Sequence, residues 1–174
     1  MKLDIDKLIF TDVTSNIKSI LYDDKPLKFW SPSMLVPFGI DNQYDKYIIK
    51  LEINDQDEEH NHLKKIIEQI EKFVIDKKNV ENKEQFKSII QNRINKNSFI
   101  ESKIKMVKNN IVTQIQYEDT DKHYLKTVLD LPKQSKVKTL FEIYGIWDYR
   151  TEGNINEKNK IGLIVYTSKI TVLR

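Results

Sequence analysis

Lys28 and Trp30 stand two residues apart in Pro26 to Trp30, a run that reads as extended chain, so both side chains leave the same face. Lys18 and Tyr22 share a face of the run before it, and Lys103 and Lys105 share one much later. A ring beside an ammonium group suits one chemistry well: the ring stacks on a flat base while the cation holds a phosphate. The wider stretch PLKFWSPSMLVPFGIDNQYDKYIIKLEI repeats the pairing, setting Trp30, Phe38, Tyr44 and Tyr47 among Lys28, Lys46 and Lys50. Such stacking contributes about 1–3 kcal/mol per base, and each phosphate contact adds a salt-dependent share. A solvated strand face, with Trp30 covering a barrel end, accounts for the same residues. Both readings stay open at this point.

A second cluster, Tyr144, Trp147, Tyr149 and Arg150, lies towards the C-terminus. In a strand Trp147 shares the parity of Phe141 and Ile143, which makes core packing its first reading. Tyr144 and Arg150 fall on the opposite face with Glu142 and Asp148, and they are the better candidates to meet a ligand. A guanidinium both pairs with phosphate and stacks on a ring.

Catalytic chemistry is poorly represented. The chain has no cysteine, which excludes thiolate metal sites, disulfides and cysteine nucleophiles. His60 and His62 in EEHNHL sit beside Glu58 and Glu59 at the expected start of a helix, and a surface helix cap explains them better than a metal site. Glycine-rich phosphate loops and the nucleophile elbow are absent. No catalytic residue, metal or cofactor is assigned.

The elements that must position these residues alternate between two periods. Leu8 to Val13, Asn16 to Tyr22, Pro26 to Trp30 and Lys46 to Ile53 read as short strands, with SPSMLVPFG as a structural corner between the last two. Leu63, Ile66, Ile67, Ile70, Phe73 and Val74 then follow helical spacing behind an acidic start. A second, shorter helix is expected over about Asn82 to Asn92, burying Phe86, Ile89 and Ile90. Alternation returns from Phe99, with a hairpin turn at Asn109-Asn110 into Ile111–Tyr117 and a further strand at Tyr124–Leu131. Val137 to Tyr149 reads as a long strand that pairs with Ile161–Leu173 across a polar connection, TEGNINEKNK. The expected fold is α+β but mainly β: a five-stranded Greek-key barrel with a two-helix insertion at about 57–92, in one domain over 1–174. A β-sandwich with a helical excursion is the alternative.

Composition agrees with a globular chain. The 174 residues are 39% hydrophobic, with a mean hydropathy of −0.56. No run approaches the roughly 18 apolar residues of a membrane span, and MKLDIDKLIF carries acids where a signal peptide needs bases. A soluble, intracellular protein is expected. Net charge is +3, but residues 93–174 carry 15 basic against 9 acidic groups while residues 41–92 carry 9 against 12. A basic face on a nearly neutral protein fits that distribution.

Two blocks carry a resemblance. NIKSILYDDKPLKFWSPSMLVPFGI followed by YDKYIIKLEI resembles the N-terminal signature of the single-stranded DNA-binding proteins of large nucleocytoplasmic DNA viruses, with its S-P-x-M-x-x-P-F-G segment. LPKQSKVKTLFEIYGIWDYR and NKIGLIVYTSKITVL resemble that family's closing strands, with Gly145-Ile146-Trp147 and Ile161-Gly162 in the motif positions. The turn between those strands is longer here, and the middle strands are less basic. The resemblance implies an OB-type barrel that binds single-stranded DNA without strong sequence preference during viral replication or repair. Replication proteins would be its partners, at the site of viral replication in the host cytoplasm or nucleus. On strand parity the binding residues would be Lys18, Tyr22, Lys28, Trp30, Lys103, Lys105, Tyr144 and Arg150. The rival expectation is a protein-interaction module that docks a replication or virion partner through its helix or a strand edge.

Overall fold

A strand buried along both edges needs a neighbour on each, because its backbone N–H and C=O groups must be paired away from water. Ser135–Asp148 is such a strand and the longest among the described residues. The computed structural model describes residues 2–118, 127–150 and 160–173. Its strands and α-helix in the first half of the chain are β1 (Leu8–Asp12), β2 (Ile17–Tyr22), β3 (Lys25–Trp30), β4 (Met34–Val36), β5 (Ile40–Gln43), β6 (Lys46–Glu52), helix α1 (Glu58–Lys77) and β7 (Phe86–Lys87). These are followed by β8 (Ile90–Arg93), β9 (Lys96–Ile104), β10 (Met106–Val107), β11 (Asn110–Ile111), β12 (Gln114–Tyr117), β13 (Ser135–Asp148) and β14 (Ile161–Val172).

β13 pairs antiparallel with β14 along one edge and with β4, β3 and β2 in succession along the other. β4 pairs with β6, β6 with β9, and β9 runs parallel to β14. The circuit β13–β4–β6–β9–β14 therefore closes on itself as a five-stranded barrel of the OB type. Leu27, Phe29, Met34, Val36, Ile49, Leu51, Ile100, Phe141 and Ile143 fill it. Burying side chains of this size contributes about 1.5–3 kcal/mol each.

The parallel seam is short, with only Tyr166 opposite Lys103 and Thr167 opposite Ile104. Hydroxyls extend it. Thr167 Oγ1 donates to Ser102 Oγ at 2.9 Å, and Thr113 Oγ1 donates to the Thr167 carbonyl at 2.6 Å. Polar groups buried in a barrel wall are tolerated because they satisfy one another.

The expected corner at SPSMLVPFG has a specific construction. Between Trp30 opposite Leu140 and Met34 opposite Val137, the β3–β4 side carries one residue more than β13. Ser31 resolves the mismatch. Its backbone N–H donates to the Thr139 carbonyl at 2.8 Å, and its Oγ accepts the Thr139 N–H at 2.9 Å.

Helix α1 begins where Asp57 accepts the N–H groups of Glu59 and His60. Its apolar stripe, Leu63 to Val74, packs on the barrel core, and Phe73 meets Phe10 of β1 with ring centroids 5.2 Å apart. His60 departs from the expected surface cap. It is buried, its Nδ1 accepts the Asn54 N–H at 2.9 Å, and its Nε2 lies 2.8 Å from the Ser33 carbonyl. That geometry makes it a latch between helix and corner.

The expected two-helix insertion is a one-helix insertion. Asn82 to Asn92 forms a tight helical turn at Lys83–Gln85 and then β7 and β8. Helical spacing over three apolar residues loses to tertiary bonds: buried Glu71 of α1 accepts from Ser88 Oγ and from the Ile89 N–H, each at 2.9 Å, while Ile90 pairs with Ile100 of β9. Two further expectations shift. The β10–β11 turn is at Lys108-Asn109, both at positive φ, rather than Asn109-Asn110. Val128–Asp130 is a helical turn capped by Thr127 instead of a strand, with positions 124–126 outside the described residues. The TEGNINEKNK connection also falls outside them up to position 159.

Two measurements check this construction. Ser31→Ala leaves the buried Thr139 N–H unpaired and should cost about 1–3 kcal/mol in denaturant unfolding. Burial pushes the Glu71 carboxyl above its usual range, against the Ile89 and Ser88 hydrogen bonds. A raised folded-state pKa means this group favours folding at low pH and that the advantage is lost as pH rises through the folded value. The melting temperature of Glu71→Gln should therefore gain on the parent as pH rises from about 4 to about 7.

Candidate nucleic-acid interface

The outward-facing side chains of β6, β9, β13 and β14 border a groove of about 770 Å³. Its lips are two two-residue turns at positive φ, Tyr44-Asp45 between β5 and β6 and Lys108-Asn109 between β10 and β11. Four lysines line it, Lys46, Lys87, Lys103 and Lys108, together with the rings of Tyr44, Tyr47, Trp147, Tyr149 and Tyr166. The acids on it are Asp45 and Glu101. Glu101 is already engaged by Lys50, at 4.0 Å, and by Gln91.

Trp147 reaches this surface because β13 is bulged. The register slips between Ile143 and Gly145, so Ile146 rather than Trp147 takes the next interior place. The core reading of Trp147 by simple alternation is thereby corrected. Its ring lies on Gly162, where a β-carbon would come within 2.8 Å of Cζ2, and Tyr149 stands beside it with centroids 5.9 Å apart. Gly145 is needed for the same strand to meet β2, since a β-carbon there would fall 2.0 Å from the Lys18 carbonyl oxygen.

Tyr44 is the most conspicuous residue on the groove. It is 98% exposed and holds φ at 50°, a region costly for a residue with a bulky side chain. A turn of this kind is normally made by Asn, Asp or Gly. Among the described residues no hydrogen bond, ion pair or ring contact engages its side chain.

The residues singled out by strand parity divide into three groups. Lys103 and Tyr144 belong to the groove or its edge, Tyr144 standing edge-on to Tyr166 at 5.9 Å. Burial lowers the Lys103 pKa, and the charges of Lys46 and Lys87 lower it further against the opposing pull of Glu101. Lys28 and Lys105 flank this patch but share one carboxylate: Glu142 Oε2 is 3.6 Å from Lys28 Nζ and 2.6 Å from Lys105 Nζ. The Glu142 side chain is only 8% exposed, so the pair neutralises a buried charge. Strand register sets Lys28, Glu142, Tyr166 and Lys103 in one row across four strands.

The remaining four stand apart. Lys18 is paired with Asp12. Arg150 holds Asp148 through two contacts of 2.9 Å and donates to the Lys78 carbonyl at 3.0 Å, closing the C-terminal end of α1. Burial pushes Asp148 up, but the hydrogen bonds and charge of Arg150 outweigh it and hold the carboxyl below its ordinary range. The Tyr22 hydroxyl accepts the Asp4 N–H at 3.4 Å, under Lys7. Trp30, 46% exposed, lines a separate cavity of about 490 Å³ against His62, Leu63 and Ile66 of α1.

Parity alone missed Lys87, Lys108, Tyr149 and Tyr166 as companions of Lys103. The available signal was the pair of turns with a tyrosine and a lysine where small residues belong.

A closed five-stranded barrel with a basic, aromatic groove on its outer face defines the structural class, and solved structures agree on the fold. The chain is similar to gp2.5, a single-stranded DNA binding protein encoded by bacteriophage T7, with a TM-score of 0.57 and 10% identity over 86% of this chain and 87% of that one. It is also similar to a C-terminally truncated single-stranded DNA-binding protein from bacteriophage Enc34, with a TM-score of 0.50 and 15% identity over 97% of this chain and 96% of that one. No protein-family model matches the chain, and no curated protein matches it by sequence. At these identities the similarity is one of fold, and nothing in it supports an origin in a large nucleocytoplasmic DNA virus. Among the described residues no helix is long and apolar enough to cross a membrane.

If Tyr44 serves a ligand rather than the fold, Tyr44→Asn should leave stability unchanged or raise it by up to about 1 kcal/mol, because Asn tolerates this backbone region. Thermal melts of the purified variant check this.

Proposed function

We propose that the chain binds single-stranded DNA along the groove, without strong sequence preference and without catalysing a reaction. The observation that carries this reading is four lysines with no ion pair among the described residues, set between five aromatic rings on an OB-type barrel. The fold similarity to two phage single-stranded DNA-binding proteins supports it.

In this mechanism the lysines capture the phosphate backbone and release its counterions. Tyr44, Tyr149, Trp147 and Tyr166 then take bases that a duplex would keep stacked. The row through Tyr144 and Glu142 to Lys28 and Lys105 extends the path beyond the groove, and Lys18, Tyr22, Trp30 and Arg150 lie off it. A role in viral genome replication or repair, with replication proteins as partners, rests on the sequence resemblance alone. The interaction-module reading has one observation in its favour, the half-exposed Trp30 beside its own cavity.

Fluorescence anisotropy with labelled oligothymidylate and a matched duplex, at low and near-physiological salt, tests the proposal. Single strands should bind selectively and weaken as salt rises. Removing two stacking rings in Tyr44→Ala/Tyr149→Ala should weaken binding at least about tenfold, at about 1–3 kcal/mol per base. Absence of binding to either probe at low salt would overturn it, and docking through the Trp30 cavity would become the working reading.

A further inference from the structure

We infer that Lys103, with Lys46 and Lys87, forms a seat for a single backbone phosphate at the floor of the groove, and that this seat anchors the strand. The inference rests on the nucleic-acid reading above and adds to it a specific anchoring subsite.

Lys103 leaves β9 on its outward face, between Tyr166 of β14 and buried Ile48 of β6, so its stem is half-buried. A cation in such a place ordinarily finds a carboxylate, because desolvating an unpaired charge is costly. Its neighbours do so: Lys28 and Lys105 share Glu142, and Lys50 pairs with Glu101. Lys103 does not. Among the described residues neither it nor Lys46 nor Lys87 makes an ion pair. Instead the other two are near enough for their charges to act on it.

Two local features give the seat a shape. Lys46 lies on β6 with the same parity as Ile48, the residue opposite Lys103, and Lys87 sits opposite Gly162 on β14. A small recess of about 60 Å³ opens between Lys87, Ser88, Glu101, Lys103 and Trp147. Trp147 is therefore a wall of the same recess, so a phosphate placed there brings its own nucleotide within reach of the indole. Lys87 and Lys103 line this recess together with Glu101, whose carboxylate is already engaged by Lys50 and Gln91, and Lys46 stands beside it on the larger groove. The three lysines act on one another as like charges, and a phosphate diester relieves that repulsion.

The seat has a consequence that other phosphate contacts on this surface lack. The charged and titratable groups around Lys103 are Lys46, Tyr47 and Asp45 from β6 and its turn, Lys87 from β7, Glu101 on its own strand, Tyr166 from β14, and Lys108 from the facing hairpin. In the free protein burial and two lysines favour loss of the Lys103 proton. A bound phosphate favours its retention. Binding thus takes up proton charge at alkaline pH, and affinity falls as pH rises through the free-protein value.

The test is oligothymidylate affinity at constant ionic strength from about pH 7 to about pH 10 for the parent, Lys103→Arg, Lys103→Ala and Lys65→Ala. Lys65 is an exposed lysine on α1 and serves as the control. Lys103→Arg should bind within a few-fold of the parent at neutral pH and lose less affinity at alkaline pH, since arginine does not titrate there. Lys103→Ala should lose about tenfold and reduce the slope of log affinity against log salt by about 0.7, the share of one phosphate on a single strand. The seat is refuted if DNA binds but Lys103→Ala matches Lys65→Ala, or if Lys103→Arg keeps the parent's alkaline loss. Failure of the parent to bind at any salt overturns the nucleic-acid reading itself, and the seat with it.

Discussion

Both edges of β13 carry hydrogen bonds at once: β14 lines one, and β4, β3 and β2 share the other in turn. In the circuit β13 joins β4 to β14, and a barrel wall with an open edge would expose the interior faces of Phe141 and Ile143 to water. The requirement reaches into details far along the chain. Ser31 supplies a hydroxyl where the opposing strand has one residue too many. Gly145 lets β2 approach the backbone, and Thr167, Ser102 and Thr113 complete the short parallel seam that returns the sheet to β14.

The same strand builds the groove. One slipped residue after Ile143 keeps Ile146 inside and turns Trp147 out, onto a glycine of the partner strand. The strand that completes the barrel thus also shapes the groove, through the bulge after Ile143. Lysines near this surface fall into two electrostatic populations. Those on the β3–β13 side neutralise Glu142 and stabilise the sheet. On the β6–β9 side Lys50 pairs with Glu101, while Lys46, Lys87, Lys103 and Lys108 make no ion pair among the described residues and leave positive charge over aromatic rings.

Much of the architecture could be read from residue order. The four strands expected between Leu8 and Ile53 lie within a residue or so of β1, β2, β3 and β6, and the stripe from Leu63 to Val74 located α1, because period and punctuation are local properties; β4, inside the expected corner, and β5 were not expected. The segment from Asn82 to Asn92 could not be read that way. Its three apolar residues fit a helix, and only a buried carboxylate on another element, Glu71, makes the extended form the better one. Part of the candidate groove was legible as composition. Aromatics among lysines were visible around Tyr44, Lys46 and Tyr47, whereas Lys18 met Asp12 on a neighbouring strand that alternation cannot locate, and Arg150 was taken up by Asp148, which alternation sets on the same face. Trp147 shows the limit most clearly, since a parity argument is reversed by a single inserted residue.

The order of strands along the chain bears on how the barrel is acquired. β13 and β14 follow every other strand, yet they supply the partners that β3, β4 and β9 require. Contacts such as that between Ser31 and Thr139 span 108 residues. Closing loops of this length before any reward arrives makes for slow folding, and strand edges left waiting are prone to pair with other chains. On a ribosome, the first hundred residues would emerge with a helix ready to form and a sheet unable to close.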